Sequence, residues 1–329
     1  MRELELIAEI RREFRGRRGG QVALGIGDDC AILRPKRGHE VLITTDFSLE
    51  GKHFRLDTHP PEAVGHRCLA RGLSDLAAMG VSPVMSFLSL ALPGEMLETA
   101  KGRAWVRRFL AGMRELGERY GVTLAGGDTA ESGSGTTGGG VLADIVLVGS
   151  APVGTSLRRS GGRAGDLLYV TGALGGAAAE LREMLARPSG GRKVARTEDH
   201  PQLFPEPRVA VGMTLRRRGL AAACMDLSDG LSTDLVHLCA ESRVGAEVEA
   251  DLVPVHALAG LEDALHGGED YELLFSARAG VKVPRQIAGV AVTRIGRLVR
   301  GNGVVLVEGG KKRALKAGGW EHFRTVGSC

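Results

Sequence analysis

Carboxylates stand in this chain where apolar and glycine neighbours give them no obvious partner. Asp28 and Asp29 lie in GIGDDCAIL (25–33), Asp46 in ITTDFSLEGKHF (43–54), Asp75 in LARGLSDLAAMG (69–80) and Asp128 in LAGGDTA (124–130). On a helix, the neighbours of Asp75 read as Cys68, Gly72, Ala78 and Met79, which offer no cation. A solvated edge or a cap would explain one such acid; recurrence at four separate element ends predicts a shared site. Two carboxylates about 4 Å apart repel by about 4 kcal/mol at an effective dielectric near 20, so convergence requires compensating cations. Oxygen ligands without Cys or His clusters select hard ions, and Mg²⁺ shared with phosphates fits better than Zn²⁺. Thr44 and Thr45, beside Asp46, are either further oxygen donors or plain β-branched strand residues; the sequence leaves both open.

The second half repeats the theme. In MDLSDGLSTDL (225–235) a strand is expected to end at Asp226 and a helix to begin near Asp229. Ser228 or Asp229 then serves as the N-cap, or the helix amino end with its free N–H groups receives an anion. GGEDYELLF (267–275) places Glu269 and Asp270 before a strand, as a turn or as part of the site. There is no G-x-x-x-x-G-K-[ST], G-x-S-x-G or H-E-x-x-H, and GIGDD carries only the first two glycines of a dinucleotide loop. Any phosphate is therefore handled by glycine backbone and metal, without a P-loop.

The elements that must position these residues follow from pattern. Helices are expected at 3–14, from Pro61 to Met79, and at 95–120, with strands at 41–45, 84–92, 122–125 and 141–149. The basic stretch 15–20 reads as a turn and SGSGTTGGG (132–140) as an exposed hairpin tip. After APVG (151–154) the pattern restarts with a strand at 167–171, a helix at 174–187 and a polar loop at 188–200. Helices around 207–218 and 229–242 and strands at 221–225, 246–251, 271–276 and 303–308 follow. A domain boundary is expected near 150, giving domains 1–150 and 151–329. Strands and helices mix without strict βαβ alternation, which favours α+β over a doubly wound sheet.

Composition sets the outer limits. The chain has 329 residues, 43% hydrophobic and 25% charged, as an ordinary globular protein does. Its 49 glycines lack a Gly-X-Y period, which excludes collagen and implies tight turns or close backbone approaches. A net charge of +4 is too small and dispersed to argue for nucleic acid. Five cysteines without a C-x-x-C pair, an acidic amino terminus and no apolar run of membrane-spanning length predict a soluble cytoplasmic protein.

Taken in order, GIGDDCAIL, TTDFSLEGKHF, LSDLAAMG, AGGDT, RRSGGRAGDLLYVTG, DLSDGL and GGEDYEL resemble the thiamine-monophosphate kinase family over nearly the whole chain. The resemblance implies the two-domain α+β fold of aminoimidazole ribonucleotide synthetase, with an amino-terminal domain that binds ATP and Mg²⁺ and builds a homodimer. The carboxy-terminal α/β domain would complete the substrate site. It implies in-line transfer of the ATP γ-phosphoryl group to thiamine monophosphate, assisted by several Mg²⁺ ions, in thiamine diphosphate biosynthesis. Carried over by position, the Mg²⁺ ligands would be Asp29, Thr44, Thr45, Asp46, Asp75, Asp128, Asp226 and Asp229. ATP would meet Gly127, Asp128, Arg159 and Ser228; thiamine phosphate would meet His53, Glu269 and Trp320, the indole as a flat stacking face. No covalent nucleophile is implied.

Two departures from the resemblance stand out. Where many relatives carry Asn before LSD this chain has Arg71 and Gly72, and Lys52 replaces a commonly apolar residue. Rival activities are those of other ATP-using members of the superfamily. A selenophosphate synthetase would need a reactive Cys and Lys near the amino terminus, and a hydrogenase-maturation dehydratase a Pro-Arg-Ile-Cys tail. This chain ends in VGSC, so Cys329 reads as a frayed end. A rival of another class is a non-catalytic dimer that binds Mg·ATP.

Overall fold

The structure is a computed structural model that describes residues 2–14, 20–133, 139–186 and 199–321. The basic turn at 15–20, the tip at 132–140, the loop at 188–200 and Cys329 fall wholly or partly outside the described residues. Two compact units form, the first mainly from Met1–Leu76 and Val81–Thr155, the second mainly from Ser156–Met184 and His200–Cys329.

In the first unit, α1 (Glu3–Glu13) buries Leu6 and Ile10 along one stripe. Two short strands, β1 (Val22–Leu24) and β2 (Ile32–Leu33), pair antiparallel and carry GIGDD between them. There follow β3 (His39–Leu49), α2 (Pro61–Ala78), β4 (Ser82–Leu92), α3 (Gly94–Glu98), α4 (Ala100–Tyr120), β5 (Thr123–Glu131) and β6 (Leu142–Pro152). The four long strands make one sheet in the order β3-β6-β4-β5, antiparallel except for the β4–β5 pair. Leu69, Leu73 and Leu76 of α2 are fully buried, as are Ile145 and Leu147 of β6. α2 and α4 cross backbone to backbone. A Cβ on Gly65 would lie 1.9 Å from the Phe109 carbonyl oxygen, and one on Gly112 would lie 2.0 Å from that of Glu62. Part of the glycine excess therefore serves helix packing rather than turns.

Three boundaries differ from expectation. β3 runs on to Leu49, so Asp46 sits inside a strand and not at its end. The helix expected at 95–120 is two, because Thr99 leaves helical geometry and its hydroxyl caps α4 by accepting the Gly102 N–H at 3.0 Å. β5 continues through Gly126, Gly127 and Asp128 after a bulge opposite Ser86 and Phe87.

The second unit comprises β7 (Leu167–Thr171), α5 (Gly176–Ala186), α6 (Val209–Arg217), β8 (Ala223–Asp226), α7 (Leu231–Ser242), β9 (Gly245–Glu249) and α8 (Leu261–His266). β10 (Leu273–Ala277), β11 (Gln286–Ile287), β12 (Val290–Val299), β13 (Val304–Glu308) and β14 (Lys311–Ala314) complete it. Its sheet runs β14-β13-β9-β12-β7-β10-β8, with β11 paired to β12. Only β9 and β13 are parallel. α7 supplies Leu231, Leu235 and Leu238 to a core shared with Leu168, Val170, Leu274, Ile295 and Leu306. β12, absent from the sequence expectation, is central to this sheet. The mixed, largely antiparallel sheets give an α+β protein, as the missing βαβ alternation predicted.

Candidate active site

Strand geometry divides the acids of the first unit into two groups. Side chains alternate along β3, so Thr44 and Asp46 share the face turned to α2 while Thr45 and Phe47 take the other. On the α2 face the Thr44 hydroxyl donates to Asp75 Oδ2, and Arg71 Nη2 donates to Asp46 Oδ1 at 3.4 Å. Arg71 precedes Asp75 by one helical turn, so it is a cation on the helix stripe that had read as having none. On the other face the Thr45 hydroxyl donates to Asp144 Oδ1 at 2.7 Å. Asp144 is in register with Phe47 on one side and Ser89 on the other, and Ser89 with Asp128. Asp144 and Asp128 thus flank Ser89 on one face of the sheet, about 10 Å apart across two strand spacings.

Asp28, Asp29, Gly126, Gly127 and Asp128 line one cleft of about 920 Å³, with Phe87 and the α1 residues Ile7, Ile10 and Arg11 on its walls. Sequence distance hides this meeting; the β1–β2 hairpin and the β5 bulge create it. Gly127 has φ 150°, and a Cβ there would lie 1.9 Å from the Leu88 carbonyl oxygen, so only glycine lets β5 pass so close to β4. The Asp128 carboxylate accepts the Thr129 N–H at 2.9 Å, and the Asp28 carboxylate that of Asp29 at 2.9 Å. His53 follows β3 in a turn, its Nδ1 accepting the Leu49 N–H at 3.0 Å.

The second unit gathers another set. β8 delivers Asp226, buried at its end, and the loop to α7 carries Ser228 and Asp229. Neither is the N-cap: Gly230 holds that position, with φ 106°. The N–H groups of Ser228, Asp229 and Gly230 are not open to an anion, since each donates to Asp234 Oδ2 at 3.1 Å. Burial first, then the charges of Asp226 and Asp229, push the Asp234 carboxyl up to about 8. The GGEDYE segment runs alongside, with Glu269 N–H bound to the Ser228 carbonyl at 2.8 Å. Glu269 takes a left-handed φ of 68°, and its carboxylate accepts from Gln202 Nε2 at 3.0 Å. Asp270 instead accepts the Gly175 N–H at 2.7 Å, and burial pushes its carboxyl up to about 7. Glu272 is buried in a bidentate pair with Arg208.

Trp320 closes this group. Its backbone N–H donates to the Asp229 carbonyl at 3.1 Å, and the half-exposed side chain (50%) shares a cleft of about 280 Å³ with Asp229, Thr233 and His237. Ser228, Asp229, Glu269 and Trp320 are therefore neighbours. Arg159 is elsewhere: its carbonyl accepts from the Ser242 hydroxyl at 2.6 Å, at the opposite end of α7, a helix about 18 Å long.

Within the first unit the four acid motifs are split between two places rather than gathered in one. There Asp46 and Asp75 lie on one face of the sheet and Asp28, Asp29 and Asp128 line the cleft on the other; the second unit by itself gathers Asp226, Asp229 and Asp234, and among the described residues no three His, Cys, Asp or Glu side chains form a metal cage. The donor chemistry nonetheless fits Mg²⁺. The donors are carboxylates and hydroxyls throughout, the hard oxygen set that Mg²⁺ takes. Sequence reasoning missed Arg71, Asp144, Gln202 and Asp234. Arg71 and Asp234 were detectable by helical spacing from Asp75 and Gly230; Asp144 and Gln202 act across strands or loops and carried no local signal.

Comparison with known proteins gives these clusters a context. Residues 27–151 match the AIR synthase related protein, N-terminal domain, and residues 163–310 its C-terminal domain. The chain is 36% identical to thiamine-monophosphate kinase of Escherichia coli (strain K12), covering 98% of both proteins, and 34% identical to that of Bacillus subtilis (strain 168), covering 77% of both. Among solved structures it is similar to thiamine-monophosphate kinase from Stenotrophomonas maltophilia K279a, with TM-score 0.77 and 34% identity over 93% of this chain and 96% of that one. It is also similar to AaThiL complexed with AMPPCP and TMP, with TM-score 0.73 and 30% identity over 98% and 99% of the two chains. Hydrogenase maturation protein HypE in complex with ATP shares the fold, with TM-score 0.75 at 18% identity over 95% and 94% of the two chains. The chain therefore belongs to the AIR synthase related family and, within it, to the thiamine-monophosphate kinases.

Proposed function

We propose that the protein transfers the γ-phosphoryl group of ATP to the phosphate of thiamine monophosphate, giving thiamine diphosphate and ADP. The observation that carries this is the match, over 98% of the chain, to a relative complexed with AMPPCP and TMP. Asp28, Asp29 and Asp128 line a cleft in the first unit, and Asp229 lines one in the second. In the first, the cleft of about 920 Å³ has the size of a small-molecule site and a glycine floor that lets a polyphosphate approach the backbone. Gly127, Asp128, Ser228 and Arg159 are the proposed ATP contacts, and His53, Glu269 and Trp320 the substrate contacts. Residues 1–150 would hold ATP, metal and the dimer contact, and residues 151–329 would complete the substrate site.

Several Mg²⁺ ions, shared out among Asp29, Thr44, Thr45, Asp46, Asp75, Asp128, Asp226 and Asp229, would supply charge neutralisation for the triphosphate. The protein's own residues position the two phosphates. The acceptor phosphate has a second pKa near 6, so no strong general base is needed. His53 Nδ1 is engaged by the Leu49 N–H, which suits an orienting role. Trp320 presents an open aromatic face for the substrate rings.

The homodimer belongs to the same proposal. β3 is an edge strand, and Val41, Ile43 and Phe47 project from its outer face with 36%, 69% and 54% exposure, an apolar stripe suited to a second copy. Cytoplasmic residence is supported by unpaired thiols at Cys68, Cys224 and Cys239. No described helix is long and apolar enough to cross a membrane.

Pure protein incubated with ATP, Mg²⁺ and thiamine monophosphate should form thiamine diphosphate and ADP, separable by chromatography. ATP binding without product from any phosphorylated acceptor would instead identify a nucleotide-sensing dimer.

A further inference from the structure

The segment that carries Trp320 is fastened to α7 through its backbone. Leu315, just past β14, is buried in the core of the second unit, and its N–H donates to the Val304 carbonyl at 2.8 Å. Beyond it the chain crosses the amino end of α7, where three successive N–H groups each find an acceptor. Gly318 donates to the Ser232 hydroxyl at 3.2 Å, Gly319 to the Thr233 hydroxyl at 3.1 Å and Trp320 to the Asp229 carbonyl at 3.1 Å. Ser and Thr in a first helical turn usually serve the helix's own backbone. Here Gly230 is the N-cap of α7, and both hydroxyls receive the incoming segment. Ser232 is fully buried, and its hydroxyl shares a hydrogen bond with His266 Nδ1 at 2.8 Å, so the anchor is itself held.

So close an approach requires glycine. A Cβ on Gly319 would lie 1.8 Å from the Asp229 carbonyl oxygen and 2.8 Å from the Thr233 hydroxyl, and one on Gly318 would lie 2.7 Å from His266 Nδ1. A side chain at 319 therefore lifts the segment off the helix. The cleft of about 280 Å³ has Asp229, Thr233 and His237 on the helix side and Ala317, Gly319 and Trp320 on the other, so one of its walls is this segment.

We propose that residues 317–320 are a positioning strap for substrate recognition. Docked on α7, the strap holds the Trp320 indole where it stacks on the rings of thiamine monophosphate, and Ser232, Thr233 and Gly319 act on affinity for that substrate through Trp320. This rests on reading Trp320 as the ring contact, and the test separates the two ideas. The rings are remote from the reacting phosphate, so undocking removes binding made equally in ground and transition states and shows in KM, not in kcat. Asp229 keeps its N–H bond to Asp234 when the strap lifts, so affinity for ATP is spared.

Steady-state kinetics are compared for the parent chain, Gly319→Ala, Thr233→Val, Thr233→Ser, Trp320→Ala and the double variant Gly319→Ala with Trp320→Ala. Gly319→Ala and Trp320→Ala should each raise KM for thiamine monophosphate roughly tenfold or more, the worth of stacking a ring on an aromatic side chain, with kcat and KM for ATP near the parent's. Thr233→Val, which loses the acceptor, should raise the same KM, and Thr233→Ser, which keeps the hydroxyl, should not. The double variant should be no worse than Trp320→Ala alone, because the strap acts only through the indole. The chain has two tryptophans, so ¹⁹F NMR of protein labelled with 5-fluorotryptophan follows Trp320 without turnover. In Gly319→Ala its signal should sharpen and move toward that of free fluorotryptophan.

The strap is overturned if Gly319→Ala leaves either this KM or the fluorine signal unchanged, or if the losses in the double variant add. A raised KM in Trp320→Ala would then still uphold the ring contact. A KM indifferent to Trp320→Ala would overturn the ring contact and the strap's role together. A parent chain without turnover would contradict the proposed activity, and the fluorine signal would still decide the docking. If Gly319→Ala does not fold, Thr233→Val against Thr233→Ser decides in its place.

Discussion

The Asp234 carboxylate accepts the backbone N–H of Asp229 at 3.1 Å, and the same oxygen takes those of Ser228 and Gly230. One buried side chain thus fixes the loop that presents two proposed ligands. Asp234→Ala leaves three donors short of an acceptor and should cost about 2–3 kcal/mol of stability. Asp234→Asn keeps one acceptor oxygen and should cost less. Differential scanning calorimetry checks this; melting temperatures equal to the parent's for both variants would contradict the clamp.

Asp46→Asn and Asp128→Asn remove a charge without removing volume. Each should lower kcat roughly 10²-fold or more with the oligomeric state kept; Asp128→Asn should leave the melting temperature near the parent's, whereas Asp46→Asn, which removes the charge beside the largely buried Arg71, should lower it. Near-normal turnover at saturating Mg²⁺ would contradict their role.

The edge-strand stripe predicts a specific assembly. Ile43→Glu with Phe47→Glu puts two charges into the proposed contact, and light scattering after gel filtration should show a folded monomer. A dimer that survives both changes must use another surface.

Asp270 gives stability a pH dependence. Burial raises its folded carboxyl to about 7 from an ordinary 3.8, so folding favours the protonated form. Its stabilising contribution is complete below pH 3.8 and is lost as pH rises through 7. Asp270→Asn should remove that decline from the melting temperature between about pH 4 and 7, and parallel curves for the two proteins would refute the assignment.

Much of this was legible in the sequence where one local rule decided the outcome. α2 begins at Pro61 and stops before Gly80, and β4 and α7 are strongly patterned, so their limits were readable. Mixed patterns hid the rest. Thr44 to Ser48 alternates a covered polar face with an exposed apolar one, the inverse of ordinary amphipathicity, so β3 was cut short at Asp46. Gly126 and Gly127 look like a strand end, yet tight pairing with β4 keeps them extended. The convergence of Asp28 and Asp29 with Asp128 in one cleft agrees with the recurrence argument. The separation of Asp46 and Asp75 from them could not be foreseen, because it depends on which face of β3 each residue takes.

The central claim is phosphoryl transfer between two phosphates, and isotope placement tests it most directly. With [γ-³²P]ATP, Mg²⁺ and thiamine monophosphate, the account predicts label in the terminal phosphate of thiamine diphosphate, with one ADP formed per product. Label recovered only as inorganic phosphate, with thiamine monophosphate unchanged, would contradict it.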